Sequence, residues 1–185
     1  VIDMPVVTVR PSVEDIQVLP DRRALADIYL PALAERGGRI LWVGCRRYTV
    51  GDYAALEQKG AEVWTTDIDP RAARWGRVGR HQTGDICKAG AIFDDLRFDA
   101  IVCNGVLGFG VDHREDQEVA LTAMATILKP NGLLLLGWNT DRIDDPLNLL
   151  AAKLFYRPVS LGKAPPRLRF DAVTHVYDTL AIRTP

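Results

Sequence analysis

The stretch Arg39-Ile-Leu-Trp-Val-Gly-Cys-Arg-Arg-Tyr-Thr49, a helix-length insert, and Ala61-Glu-Val-Trp-Thr-Thr-Asp-Ile-Asp69 together decide the fold. One apolar run ends at Gly44 and a second ends at Asp67, with a segment between them that Gly60 closes. Strand, crossover helix and parallel strand, with an acid at the end of the second strand, spell a β-α-β unit of the nucleotide-binding kind. Only Gly44 survives where such a turn usually carries two or three glycines; Arg46 and Tyr48 hold the alternate positions.

The pattern continues on both sides of this unit. Downstream, Pro70 opens a helix where its missing N–H costs nothing, a weak strand covers His81 to Thr83, and Gly84-Asp85-Ile86 is a turn with an acid at its exit. Ala91 to Leu96 reads as a short helix, Phe98 to Cys103 as a continuous apolar strand ended by Asn104-Gly105, and Glu115 to Lys129 as an amphipathic helix finished by Pro130-Asn131-Gly132. Leu133 to Leu136 is the most hydrophobic strand and runs on into Trp138-Asn139. Upstream, residues 1–20 read as a surface arm without a sustained period, and a packing helix runs from Asp21 to Gly37-Gly38, interrupted by Pro31. After a helical Leu147 to Tyr156, residues 157–169 form a Pro-rich basic loop, a candidate lid, and Thr174 to Arg183 alternates as a closing edge strand. Unbroken apolar strands alternating with helices mean an α/β fold, a doubly wound, mostly parallel sheet covered on both faces.

Length and composition bound the function. With 185 residues, 48% hydrophobic, residues 1–185 make one domain with a full core. A formal charge of −1 leaves no positive reserve for a nucleic-acid backbone, so a small-molecule partner is expected. Cys45, Cys87 and Cys103 are odd in number and widely spaced, which reads as reduced thiols in the cytoplasm. No window approaches the roughly 20 apolar residues of a membrane span, and the N-terminal stretch lacks a signal-peptide core. The three histidines are scattered and no carboxylates cluster, so no metal is expected.

In an open parallel sheet, ligands bind outside the carboxyl ends of the strands where strand order reverses. Gly44 permits close backbone approach there, Asp67 can accept both hydroxyls of a ribose, and Asp85 can accept from an exocyclic amine. Acids after strands are more often caps or solvated turns; their order and spacing are what single these out.

In that order the chain resembles the Rossmann-like S-adenosylmethionine-dependent methyltransferases, across roughly Arg39 to Asn139. The matching pieces are Ile-Leu-Trp-Val-Gly-Cys, Thr-Asp-Ile-Asp-Pro, Gly-Asp-Ile, Phe-Asp-Ala-Ile-Val-Cys-Asn and Ile-Leu-Lys-Pro-Asn-Gly-Leu-Leu-Leu-Leu. The resemblance implies a seven-stranded sheet with an antiparallel last strand and S-adenosyl-L-methionine as cofactor. It places Gly44 at the methionine portion, Asp67 at the ribose, Asp85 and Ile86 at the adenine, and the backbone at Asn104 near the amino group; Cys45, Tyr48, Thr49, Ile68 and Gly105, beside them in the chain, complete the expected cofactor-binding set. The implied activity is methyl transfer to a small acceptor. Arg71, Arg74, Arg157, Lys163, Arg167 and Arg169 would suit an anionic one. Should the acceptor arrive protonated, Asp112 and His113 are the candidate bases, with Glu115 beside them and His175 more remote.

The chain also departs from the family. Trp42 stands where an acid usually helps to hold the ligand's ammonium, and Arg46 and Tyr48 replace glycines. A repurposed, non-methylating member that binds S-adenosylmethionine, S-adenosylhomocysteine or another nucleotide is the competing expectation. A nicotinamide-dependent oxidoreductase is disfavoured, because Gly44-Cys-Arg-Arg-Tyr-Thr-Val cannot supply the approach to a pyrophosphate.

Overall fold

In β1 (Arg39–Val43) Ile40 and Trp42 point into one core while Leu41 and Val43 point into another. A strand covered on both faces has no polar side to show, which is why it reads as an unbroken apolar run. The computed structural model describes residues 11–183. Its sheet contains β1, β2 (Glu62–Asp67), β3 (His81–Thr83), β4 (Phe98–Asn104), β5 (Leu128–Asn139), β6 (Tyr156–Pro158), β7 (Arg167–Arg169) and β8 (His175–Ile182). The order is β3-β2-β1-β4-β5-β8-β6, with β7 also paired to β8. The first five strands are parallel, and β8 runs antiparallel to β5. The winding reverses between β1 and β4, so a crevice opens at their carboxyl ends.

One face is covered by α5 (Ala89–Phe93), α6 (Arg114–Ile127) and α7 (Leu150–Phe155), whose Phe93, Leu121, Met124 and Ala151 pack with Leu134 and Leu136 of β5. The other carries α2 (Pro20–Ala24), α3 (Leu30–Arg36) and α4 (Val50–Glu57), where Leu33, Tyr53 and Leu56 meet Val102, Leu133 and Leu135. Each fully buried side chain of this size contributes about 1.5–3 kcal/mol. No described helix is long and apolar enough to cross a membrane.

Three local features differ from expectation. The helix from Asp21 is not broken at Pro31: a π-helical turn, Leu25–Tyr29, precedes it and absorbs the hydrogen bond that proline cannot make. Residues 13–17 form a short helix, α1 (Val13–Gln17), capped by Ser12, whose hydroxyl accepts from Asp15 N while Asp15 accepts from Ser12 N. The Ser-x-x-Asp spacing was its signal. The rest of the expected arm, residues 1–10, lies outside the described residues.

The third is a correction. The closing strand is not an edge: β8 lies between β5 and β6 and is buried from His175 to Ala181. Its one carboxylate persists there because it is partnered. Asp178 accepts from Trp138 Nε1 (2.8 Å) and from Arg167 Nε (2.6 Å) and Nη2 (2.9 Å). In residues 157–169, expected as a lid, the two ends, Arg157-Pro158 and Arg167–Arg169, pair with β8, and Leu161 and Ala164 between them pack into the α2–α4 core.

Candidate functional site

The crevice holds two cavities, of about 420 Å³ and 590 Å³, that share Gly44, Arg46, Gly105 and Phe109. Gly44, at φ +88°, turns the chain sharply off β1, and a Cβ there would meet only Val106, at 3.6 Å. A side chain would fit the protein but strain the backbone and fill the junction of the two cavities.

The smaller cavity is lined by Asp67, Ile68, Asp85 and Ile86. Asp67 is buried at the end of β2, fixed by the turns that follow β1 and β2: Oδ2 accepts from Cys45 N (2.7 Å) and Oδ1 from Asp69 N (2.9 Å). Arg46 Nη1 adds an ion pair to Oδ2 at 2.9 Å and also donates to Cys45 O at 2.7 Å. Cys45 thus acts through its backbone; burial pushes its thiol up, away from reactivity. Asp85 caps the following turn by accepting from Cys87 N at 2.9 Å. Ile86 is buried, whereas Ile68 is 69% exposed, an apolar side chain held at the mouth of the cavity.

The larger cavity is lined by the expected Tyr48, Thr49 and Asn104 and by residues the sequence had not pointed to, Ile16, Leu19, Asp21 and Arg22. Thr49 is tied down by Arg46 N and the Tyr53 hydroxyl. Arg22 is 5% exposed; its Nη2 pairs with Asp52 at 2.7 Å, its guanidinium lies 5.3 Å from the Tyr48 ring centre, and its Nε has no partner among the described residues. Burial outweighs the arginine beside it and leaves the Asp52 carboxyl above its usual range. Trp42 fills the position where an acid was missing and packs edge-on against Tyr53 at 5.5 Å. Under the cavity, His175 Nδ1 lies 3.1 Å from Asn139 Oδ1, Asn104 Nδ2 donates to the Tyr177 hydroxyl at 3.3 Å, and burial lowers the imidazole's basicity. A Cβ at Gly137 would collide with Asn104 and His175, so this polar floor depends on a glycine.

The expected bases are not brought to this junction. Asp112 lines a separate polar cavity of about 410 Å³ and accepts from Gly110 N, and His113 is an exposed N-cap of α6. Arg142, which lines that third cavity, lies over the Phe109 ring at 4.8 Å. Nor do the expected basic residues line the two joined cavities. Arg71 pairs with Asp69, Arg74 lies over Trp75, and Arg167 is held by Asp145 and Asp178. The Lys and Arg side chains that do line them are Arg22, Arg46 and Lys88.

A family model described as a methyltransferase domain matches residues 19–155. No curated protein sequence matches the chain. Among solved structures it is similar to the N-methyltransferase NodS of Bradyrhizobium japonicum WM9 in complex with S-adenosyl-L-homocysteine, at 16% identity and TM-score 0.65 over 91% of each chain. It is similar also to a TehB-like SAM-dependent methyltransferase of Corynebacterium glutamicum, at 22% identity and TM-score 0.62 over 92% of this chain and 98% of that one. The CcbJ methyltransferase of Streptomyces caelestis matches at 14% identity and TM-score 0.67 over 95% of this chain and 94% of that one.

Proposed function

The chain belongs to the methyltransferase-domain family, and from that membership we propose that it transfers a methyl group from S-adenosyl-L-methionine to a small-molecule acceptor. The observation that carries the reading is the pair of cavities joined at Gly44, one bearing a buried carboxylate and apolar walls, the other an amino-acid-like set of charges. Together their volumes fall in the range of ordinary cofactor and substrate sites.

The residues present fit the cofactor. Asp67 retains accepting capacity for a ribose hydroxyl, and the free edge of Asp85 with Ile68 and Ile86 suits an adenine, polar at its amine and apolar on its faces. Asp21 and Arg22, neighbours on α2 facing the larger cavity, match the ammonium and carboxylate of the methionine end. They replace the acid that Trp42 displaces from β1. The cofactor would supply a methyl group made electrophilic by its sulfonium. The chain's own contribution is orientation and exclusion of water: Ile16 and Leu19 wall the larger cavity, Phe109 covers the junction, and the Asn104–Tyr177 and His175–Asn139 pairs stiffen its floor. For a neutral amine or an ionised acceptor this is sufficient, and no base at the junction is required.

Thermal unfolding with S-adenosylmethionine, S-adenosylhomocysteine and NAD in turn tests the reading. A ligand at a hundredfold its Kd adds about 2.7 kcal/mol, so both sulfur ligands should raise Tm, and Asp67→Ala should remove the rise. A shift with NAD alone overturns the proposal. Binding of both sulfur ligands without methylation of any amine, phenol or carboxylate offered would support a non-methylating member, a reading that the prior engagement of Asp67 by Arg46 favours.

A further inference from the structure

A carboxylate has about four lone-pair positions, and three of those on Asp67 are taken, by Cys45 N–H, Asp69 N–H and the Arg46 guanidinium. A ribose diol held through both hydroxyls needs two. The two backbone donors cannot withdraw, because they are the turns that end β1 and β2. Arg46 can: its side chain is 55% exposed, it stands where the family's turn has a glycine, and among the described residues only its Nη1 is engaged. We propose that Arg46 is a displaceable latch on the ribose carboxylate, a built-in competitor that sets how tightly this protein holds its cofactor. The inference rests on the reading of Asp67 as the ribose acceptor.

Two consequences separate a latch from a cofactor contact. Removing a contact weakens binding, whereas removing a competitor strengthens it. Arg46 also lines both cavities at their junction, where its positive charge opposes a sulfonium but not a neutral thioether. Its removal should therefore help S-adenosylmethionine more than S-adenosylhomocysteine. Because the guanidinium is more than half exposed, salt screens its hold on Asp67.

The test is calorimetric titration of S-adenosylhomocysteine and S-adenosylmethionine into wild type, Arg46→Ala, Arg46→Gly and Asp67→Ala, at 0.05 and 0.5 M salt. The latch predicts about fivefold tighter S-adenosylhomocysteine binding in Arg46→Ala, a gain of the size of one exposed ion pair, and a larger gain for S-adenosylmethionine. It also predicts wild-type affinity that rises with salt while Arg46→Ala stays flat. Weaker or unchanged binding in both Arg46 variants, with wild type binding well, overturns the latch and leaves the cofactor reading standing. Binding by the Arg46 variants but not by wild type supports the latch in its strongest form. Absence of binding in every protein overturns the cofactor reading and the latch with it.

Discussion

At the scale of single residues, the two arginines of the site answer to different physics. Arg46 is largely exposed, and its loss should cost little stability; Arg22 is buried against Asp52, and its loss strands a carboxylate. Arg22→Ala should destabilise the protein by about 3 kcal/mol at neutral pH, as removal of one partner of a buried pair does, measured by urea unfolding. The sign with pH is fixed by Asp52, whose carboxyl burial already holds above its usual range. Without Arg22 it rises further, so it takes a proton readily, and the destabilisation should shrink as pH falls toward 5. A deficit that stays constant between pH 7 and 5 would show that lost packing on Tyr48, not a stranded charge, carries the effect. Neither role was legible beforehand, because an arginine after Pro20-Asp21 looks like any first-turn helix residue, and what it meets is 30 positions away.

At the scale of elements, α1 links local sequence to the site. It has five residues and no buried side chain of its own, yet Ile16 and the following Leu19 wall the larger cavity. A helix this short depends on its cap. Ser12→Ala should weaken α1 by about 1 kcal/mol, speeding amide exchange over residues 13–17 and lowering cofactor affinity, with Tm of the sheet unchanged. Loss of global Tm instead would mean that α1 belongs to the cooperative core. The strand exits were readable, since Gly44, Asp67 and Asn104 each end an apolar run and Asp85 follows the weak strand His81 to Thr83 at a glycine turn. The arm and the 157–169 segment were not. One was hidden by its brevity and the other by β7, whose three residues become a strand only through pairing with β8.

At the scale of the whole molecule, a polar clamp closes the antiparallel side of the sheet. Arg167 joins Asp145 from the segment after β5 to Asp178 in β8, and lies 5.6 Å from the Trp138 ring centre. The hydrogen bond from Arg167 holds the Asp145 carboxyl below its usual range. A depressed carboxylate stabilises the fold above its unfolded pKa of about 3.9 and loses that contribution as pH falls through the lower, folded value. Asp145→Asn should therefore cost about 1 kcal/mol at pH 7 and converge on wild type near pH 2, read as the difference in unfolding free energy across the range. No convergence would place the cost in geometry.

The chain order of apolar runs and acid-bearing exits was enough to specify the doubly wound sheet, its crevice and the residues at the strand ends, because a strand buried on both faces and a turn needing positive φ leave local marks. What tertiary structure alone decided is which charges face one another. Asp21 and Arg22 reach the crevice, Asp112 and His113 turn to a neighbouring cavity, and Arg46 folds back onto Asp67. Those outcomes depend on desolvation and on partners 21 to 30 residues distant, which no period or spacing along the chain records.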